Sequence, residues 1–189
     1  MDRVPFIALC DEEGQRSVVS VPPDHEGFVR HENGRLHFLP GVHRLACGRV
    51  LTVFLVRVAG LHGLELRSLA GAMLREPNGR RRPIKVLGHL AYGIVRPEPF
   101  VDFLEREQLH DPGEFEHELA RLTVELLSNV FDGEPLEGAR LSEHLDTVSG
   151  ELLRRLTAVV LPLGLDLHAL DLVAAAAPLD GTPASSPAV

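Results

Sequence analysis

Four histidines near the start of the sequence recur at intervals of six residues: His25, His31, His37 and His43. Histidine is the commonest metal ligand in proteins, and a tetrahedral zinc site would need these side chains to converge. The turn signal Asn33-Gly34 instead predicts a hairpin that places His31 and His37 on opposite faces. Prolines on either side separate the outer two histidines from that hairpin. We therefore interpret all four as scattered surface histidines and predict no metal ligand.

A second group of ionisable residues lies at a predicted helix start, where His110 and His117 flank Asp111 and Glu114. No HExxH or CxxC pattern accompanies them, so we expect these residues to be solvated or to cap the helix. The acidic pair Glu12-Glu13 falls in a predicted loop. In loops and at helix starts, negative charge is favoured for structural reasons alone, so we assign these acids no catalytic role.

Nucleophilic catalysis has no recognisable motif in this chain. The sequence contains neither a Gly-x-Ser-x-Gly elbow nor a phosphate-binding glycine loop. Cys10 and Cys47, the two cysteines, lie in apolar surroundings and are interpreted as core residues, which fits a reducing cytosol. We therefore predict no catalytic residue, no cofactor and a function other than that of an enzyme.

The composition indicates a globular protein with one hydrophobic core. Its 189 residues suit a single domain, and a hydrophobic content of 44% is ordinary. The net charge of -8 argues against nucleic acid as a main partner, because that binding depends on clustered Lys and Arg. The apolar runs are too short for a membrane span of roughly 20 residues. The run from Val4 to Cys10 is likewise too short for a secretion signal.

One basic cluster stands out in this acidic chain, formed by Arg80, Arg81 and Arg82 with Arg75 and Lys85 nearby. Such a run is often only a solvated loop. Its functional interpretation is contact with anionic headgroups or with an acidic partner surface. These three arginines are the candidate membrane or partner contact.

The most informative segment runs from Pro83 to Leu104. From Ile84 to Ile94 apolar residues alternate with a period of two, which predicts a strand with one buried face and a largely buried Tyr92. The prolines that follow Arg96 end this pattern and suit the first turn of a helix. The chain therefore changes from sheet to helix at this point.

Other strands are predicted on both sides of this segment. A short strand spans Val18 to Val21, and the hairpin from Glu26 to Leu39 has a predicted register with Glu32 opposite Arg35 and His31 opposite Leu36. Two apolar strands follow, from Arg49 to Val58 and from Leu64 to Leu74, with a second turn signal at Pro77-Asn78-Gly79.

Apolar stripes at helical spacing predict three helices, at Glu98 to Leu109, Glu114 to Phe131 and Ser142 to Leu163. Gly164 suits the end of the third helix. A closing strand follows, with Leu165, Leu167, Ala169 or Leu170, and Leu172 on one face. The predicted fold class is α+β, with a largely antiparallel β-sheet covered on one face by the three helices.

Two segments carry a resemblance to a known family. The series Gly88, Tyr92, Ile94, Pro97 and Phe100 resembles the Gly-x-x-x-Tyr-x-Ile-x-Asp-Pro-x-x-Phe segment of the SPFH superfamily, also called band-7 or prohibitin-homology domains. This chain has Arg96 where that family has Asp. The phrase from Gly34 to His43 resembles the Gly...Leu-x-Pro-Gly-x-His segment that opens SPFH domains, and the last helix and closing strand resemble their end.

The resemblance covers about Val18 to Pro178 and is nearest to the short, soluble, bacterial branch labelled virion-core-protein-like. It implies an N-terminal extension (1–17), an SPFH-like domain (18–177) and a flexible tail (178–189). It also implies a cytoplasmic, non-catalytic scaffold or adaptor that self-associates and recruits partner proteins, with peripheral contact to anionic membrane as one setting. The chain shows no membrane anchor or coiled coil of the kind longer relatives carry, so weaker assembly through sheet edges and helix flanks is expected. The alternative is a small enzyme or ligand-binding protein with a pocket between sheet and helices.

Overall fold

The computed structural model describes residues 4–10, 18–31, 34–45, 50–66, 72–84, 86–133, 137 and 140–174. The strands within these ranges are β1 (Phe6–Cys10), β2 (Val18–Val21), β3 (His25–His31), β4 (Gly34–Phe38), β5 (Gly41–Arg44), β6 (Val50–Arg57), β7 (His62–Leu66), β8 (Met73–Arg75), β9 (Arg81–Pro83), β10 (Val86–Ile94) and β11 (Leu165–Ala174). The helices are α1 (Pro97–Arg106), α2 (Pro112–Gly133) and α3 (Leu141–Val160), and a 3-10 turn (Leu161–Leu163) follows α3.

The described strands form a four-stranded sheet (β1-β6-β3-β4), a three-stranded sheet (β11-β10-β7) and two ribbons (β2-β5 and β8-β9). Every pairing is antiparallel. The α+β class and the antiparallel arrangement are confirmed, but the strands are divided among several sheets instead of one. The strand order follows from long-range pairing, for which the sequence carries no local signal.

Strand β6 separates two apolar clusters. Phe54 and Val56 face the main core, which also contains the buried stripes of the helices, while Val53 and Leu55 face a smaller cluster under the β2-β5 ribbon. Successive side chains of a strand point to opposite faces, so a strand buried on both faces must be apolar throughout. This explains the continuous apolar run in the sequence of β6.

Strand β1 belongs to the four-stranded sheet. From the sequence we instead expect it in an N-terminal extension, residues 1–17. β1 pairs with β6, and Phe6 is fully buried. Its ring lies 5.9 Å from Phe100 and 6.2 Å from Phe115, in edge-on geometry. Burying such a ring stabilises the fold by roughly 1.5–3 kcal/mol, which is why the short apolar run docks against the domain. The proposed tail, 178–189, lies outside the described residues.

Strand β10 occupies the centre of the three-stranded sheet, between β7 and β11. Tyr92 is 1% exposed, so the predicted strand and the predicted burial of Tyr92 are confirmed. β11 has a bulge at His168: Ala169 pairs with Ala91 and Leu167 pairs with Tyr92, so His168 has no pairing residue on β10. The bulge shifts the phase of β11, so that Leu170 rather than Ala169 continues the buried face.

The helices occur where the sequence predicts them, with small shifts in the buried stripes. α3 packs against β11, and its stripe ends at Val160 while Val159 is exposed. On α2 the buried stripe centres on Thr123 and Leu127, while Leu122 and Leu126 are only half-buried. Thr123 is tolerated in the core because its hydroxyl donates to the carbonyl of Leu119, at 2.7 Å.

The hairpin β3-β4 is present, but its predicted register is wrong by two residues. His31 pairs with Gly34, and Arg30 pairs with Arg35. The turn residues 32 and 33 lie outside the described ranges. A shift of two keeps each side chain on its predicted face. It also places His37 opposite Phe28, on which its ring stacks at 4.6 Å, a contact that the turn signal alone could not reveal.

The junction between β10 and α1 meets the end of the helical segment. Gly164 has a φ of 90° and follows the 3-10 turn, as predicted for a C-terminal glycine. Its carbonyl accepts hydrogen bonds from the backbone N–H groups of Val95 and Arg96. The Arg96 side chain donates to the carbonyl of Leu161, so this residue caps the end of the helical segment instead of the start of α1.

We predict that Gly164→Ala lowers the free energy of unfolding by about 2–4 kcal/mol. An added Cβ would lie 2.0 Å from the Arg96 carbonyl oxygen, at a φ that disfavours L residues. The matched control is Gly150→Ala, where no atom lies within 4 Å of the added Cβ and a helical φ suits alanine. Urea denaturation should show the control equal to or more stable than the wild type. Equal stability of the two variants would contradict the role of the junction.

Tyr92 is the single tyrosine of a chain without tryptophan, so its ultraviolet titration reports on the core alone. Burial, and secondarily the charge of Glu116, raises the pKa of its hydroxyl well above the ordinary value. The folded state therefore keeps the proton longer than the unfolded state. Stability should be unaffected by this group below pH about 10 and should fall above it. Ionisation near pH 10 with an unchanged circular dichroism spectrum would contradict this prediction.

Candidate partner-contact site

The three predicted contact arginines lie on the β8-β9 hairpin. The backbone N–H of Glu76 donates to the carbonyl of Arg80, and that of Gly79 donates to Glu76, both at 2.8 Å. Gly79 has a φ of 82°, which glycine adopts without strain. The turn signal at Pro77-Asn78-Gly79 is confirmed. Arg80, Arg81 and Arg82 are all exposed.

The hairpin is fixed to the C-terminal turns of α2. Arg81 Nη2 lies 2.7 Å from Asp132 Oδ2, and Arg75 Nη1 donates to the Asp132 carbonyl at 3.4 Å. On the same hairpin, the backbone N–H of Met73 donates to Ser128 Oγ at 3.2 Å. Cations at a helix C-terminus are favoured by the exposed carbonyl groups there. Leu74, which is fully buried in the main core, anchors the hairpin, and Arg75 and Arg81 add exposed contacts that orient it on α2.

The other two arginines of the cluster are in a different situation. Neither Arg80 nor Arg82 has an ion pair with a residue in the described ranges. Their side chains are exposed at the end of a hairpin whose orientation Arg81 fixes. Of the three residues that the sequence singled out, these two present free positive charge, and we call them the basic tip.

The four regularly spaced histidines each lie in different surroundings. His25 Nδ1 is 2.7 Å from Asp24 Oδ1, and His37 Nε2 is 2.7 Å from Glu26 Oε2. His43 Nε2 donates to the carbonyl of Leu39, and His31 lies on the face of β3 opposite His37. Within the described part of the chain, no three His, Cys, Asp or Glu side chains converge to hold a metal ion.

Sequence reasoning missed a half-buried arginine, Arg35. Its Nη2 lies 2.6 Å from Asp102 Oδ1 and 3.7 Å from Glu98 Oε1, and its Nη1 lies 3.7 Å from Glu105 Oε2. Its guanidinium also stands 5.9 Å from the Phe28 ring centre. The three acids share one face of α1 at spacings of four and three, a pattern visible in the sequence. This cluster ties α1 to β4 and positions the helix.

Two of the clefts on the described surface differ in size and in lining. The larger, about 680 Å³, lies between α1 and α2 and is lined by Glu107, Asp111, Glu114, His117 and Glu118 among others. Asp111 Oδ1 accepts from the backbone N–H of Gly113 at 2.7 Å, as expected of a capping residue. Partial burial, and secondarily Asp111, raises the pKa of the neighbouring Glu116.

The second cleft is a groove of about 270 Å³ between α3 and β11. It lies between a sheet and a helix, which is where the alternative expectation places a ligand pocket. Asp146 and Asp171, two exposed acids that the sequence analysis did not single out, lie along it. No sequence motif marks this groove, because it arises where a helix and a strand distant in sequence meet.

Across the described ranges, no helix is long and apolar enough to span a membrane.

We predict that Arg81 and Asp132 couple by less than about 1 kcal/mol in a double-mutant cycle with alanine. The Arg81 side chain is 60% exposed, so water and salt screen the pair.

Arg82→Ala should leave the free energy of unfolding within about 0.5 kcal/mol of the wild type. Chemical denaturation measures both effects. If Arg82→Ala destabilised more than Arg81→Ala, the division of the cluster into anchoring and free arginines would be wrong.

Comparison with known proteins gives no family for this chain. No protein-family model matches the sequence, and no curated protein matches it either. The resemblance to SPFH domains therefore depends on the residues named above, and its functional implications are proposals.

Proposed function

We propose that this chain is a cytoplasmic, non-catalytic scaffold or adaptor domain, similar to SPFH domains, that self-associates and recruits partner proteins. The observation that carries the proposal is that both larger sheets are open and end in strands with no neighbouring strand in the described ranges, among them β4 and β11. A strand edge of this kind presents unpaired N–H and C=O groups that can pair with another chain.

The edge at β4 is accompanied by exposed apolar side chains. Leu36 lies on β4 and is 46% exposed, while Leu39 and Val42 follow it and are 63% and 73% exposed. Val42 shares the outer face of the β2-β5 ribbon with Val18, which is also exposed. Apolar side chains grouped at an edge favour contact with another protein.

The setting at a membrane is supported by the basic tip. Arg80 and Arg82 carry free positive charge at the end of a fixed hairpin, and each could contribute at most about 1 kcal/mol near anionic lipid. Two such residues give weak, salt-sensitive binding. In this proposal the membrane contact assists assembly by concentrating the protein at a surface.

The proposal predicts a mass that rises with protein concentration in light scattering. The wild-type chain should assemble because its strand edges pair between copies, and removal of Pro178–Val189 should leave assembly unchanged. Anionic vesicles should lower the concentration required. An enzyme has no need to assemble, so the measurement also separates the two functional classes. A strictly monomeric protein under all these conditions would contradict a self-associating scaffold.

A further inference from the structure

The groove between α3 and β11 follows the edge of a strand. α3 contributes Asp146, Ser149, Gly150 and Leu153, and β11 contributes residues 170–172. Successive side chains of a strand point to opposite faces. A groove that touches three residues in succession therefore runs along the backbone edge of β11.

That edge has no strand partner within the described ranges. β11 pairs with β10 on one side and stands last in the order β11-β10-β7. α3 packs against β11 and forms the other wall of the groove. A free strand edge beside a helix is an arrangement to which an extended segment can add as a further strand.

The groove offers an extended segment buried apolar side chains and open space beside α3. Leu170 and Leu172 are buried beneath it, and Leu153 is half-buried. At Gly150, no atom lies within 4 Å of the position that a Cβ would occupy. The groove, about 270 Å³ in volume, therefore has open space beside Gly150 and apolar side chains that an incoming segment can contact.

The charges of the groove complement those of the basic tip. Asp146 and Asp171 are exposed and have no ion pair with a described residue. Arg80 and Arg82 are the exposed cations that the β8-β9 hairpin does not use for its own anchoring. β9 is also a free edge in its two-stranded ribbon, and Pro83, which lacks an N–H, is tolerated on such an edge.

We propose that the basic tip of one copy docks into the α3-β11 groove of a second copy, with β9 extending the sheet at β11. The inference rests on the proposed function, because it names the surface through which the domain self-associates. The positive charges of Arg80 and Arg82 approach the acidic rim of the groove, which Asp146 and Asp171 form, while Arg81 stays on its own Asp132. The contact adds one short strand, so the interface is small and assembly is weak and salt-sensitive.

Charge reversal on the full-length chain tests this docking. Arg80→Glu/Arg82→Glu and Asp146→Lys/Asp171→Lys should each weaken assembly at least about tenfold, because like charges then face each other. An equimolar mixture of the two variants should regain assembly, since opposite charges meet again. Light scattering and sedimentation at low ionic strength measure the effect. Circular dichroism and the urea midpoint verify that each variant is folded.

The matched control is Arg106→Glu/Arg121→Glu, which makes the same change in net charge at exposed positions on α1 and α2, outside the tip, the groove and the apolar side chains beside β4. It should assemble as the wild type does. If the wild type assembles and Arg80→Glu/Arg82→Glu assembles equally well, this docking is wrong and the proposed self-association stands. If the wild type never assembles, both fail. If Arg80→Glu/Arg82→Glu loses binding to anionic phosphatidylserine vesicles but assembles as the wild type does, the tip contacts membrane only and the docking is overturned.

Discussion

The pairing of β10 with β11 is the constraint on which the rest of the fold depends. These strands pair along their length, although all three helices lie between them in the chain. The helical segment thus forms a long connection between the two strands, and its ends are hydrogen-bonded to each other at Gly164 and Arg96. Closing so long a loop costs conformational entropy, which the buried leucines of β11 and the stripe of α3 offset. The sheet and the helices therefore cannot form their cores independently.

Local patterns predicted the local elements. The period-two run at Tyr92 predicted a buried strand, the stripe of α3 predicted its packing face, and Gly164 predicted the end of the helical segment. These predictions held because each depends on residues within one or two turns of one another. The sequence pattern did not reveal the division into several sheets or the docking of Phe6, since both depend on partners far along the chain.

At the candidate site, too, the sequence predicts the local features but not those that depend on distant residues. Three consecutive arginines are equivalent in the sequence, but only Arg81 has Asp132 within reach, and that partner is supplied by the far end of α2. The hairpin register was wrong for a related reason. The preference of Asn-Gly for tight turns depends only on neighbouring residues. The observed register brings Arg35 to Asp102 and stacks His37 on Phe28, and these contacts involve residues farther along the chain. Tertiary contacts decided between two registers that keep the same faces.

The attachment of the β8-β9 hairpin has a mechanical consequence. The hairpin bonds to α2 through Ser128 and through both the carbonyl and the carboxylate of Asp132. α2 in turn buries Leu127 and Phe131 in the main core. The hairpin also buries its own Leu74 in that core. A displacement of the hairpin would therefore disturb the packing of α2 and Leu74 and would not be confined to the surface.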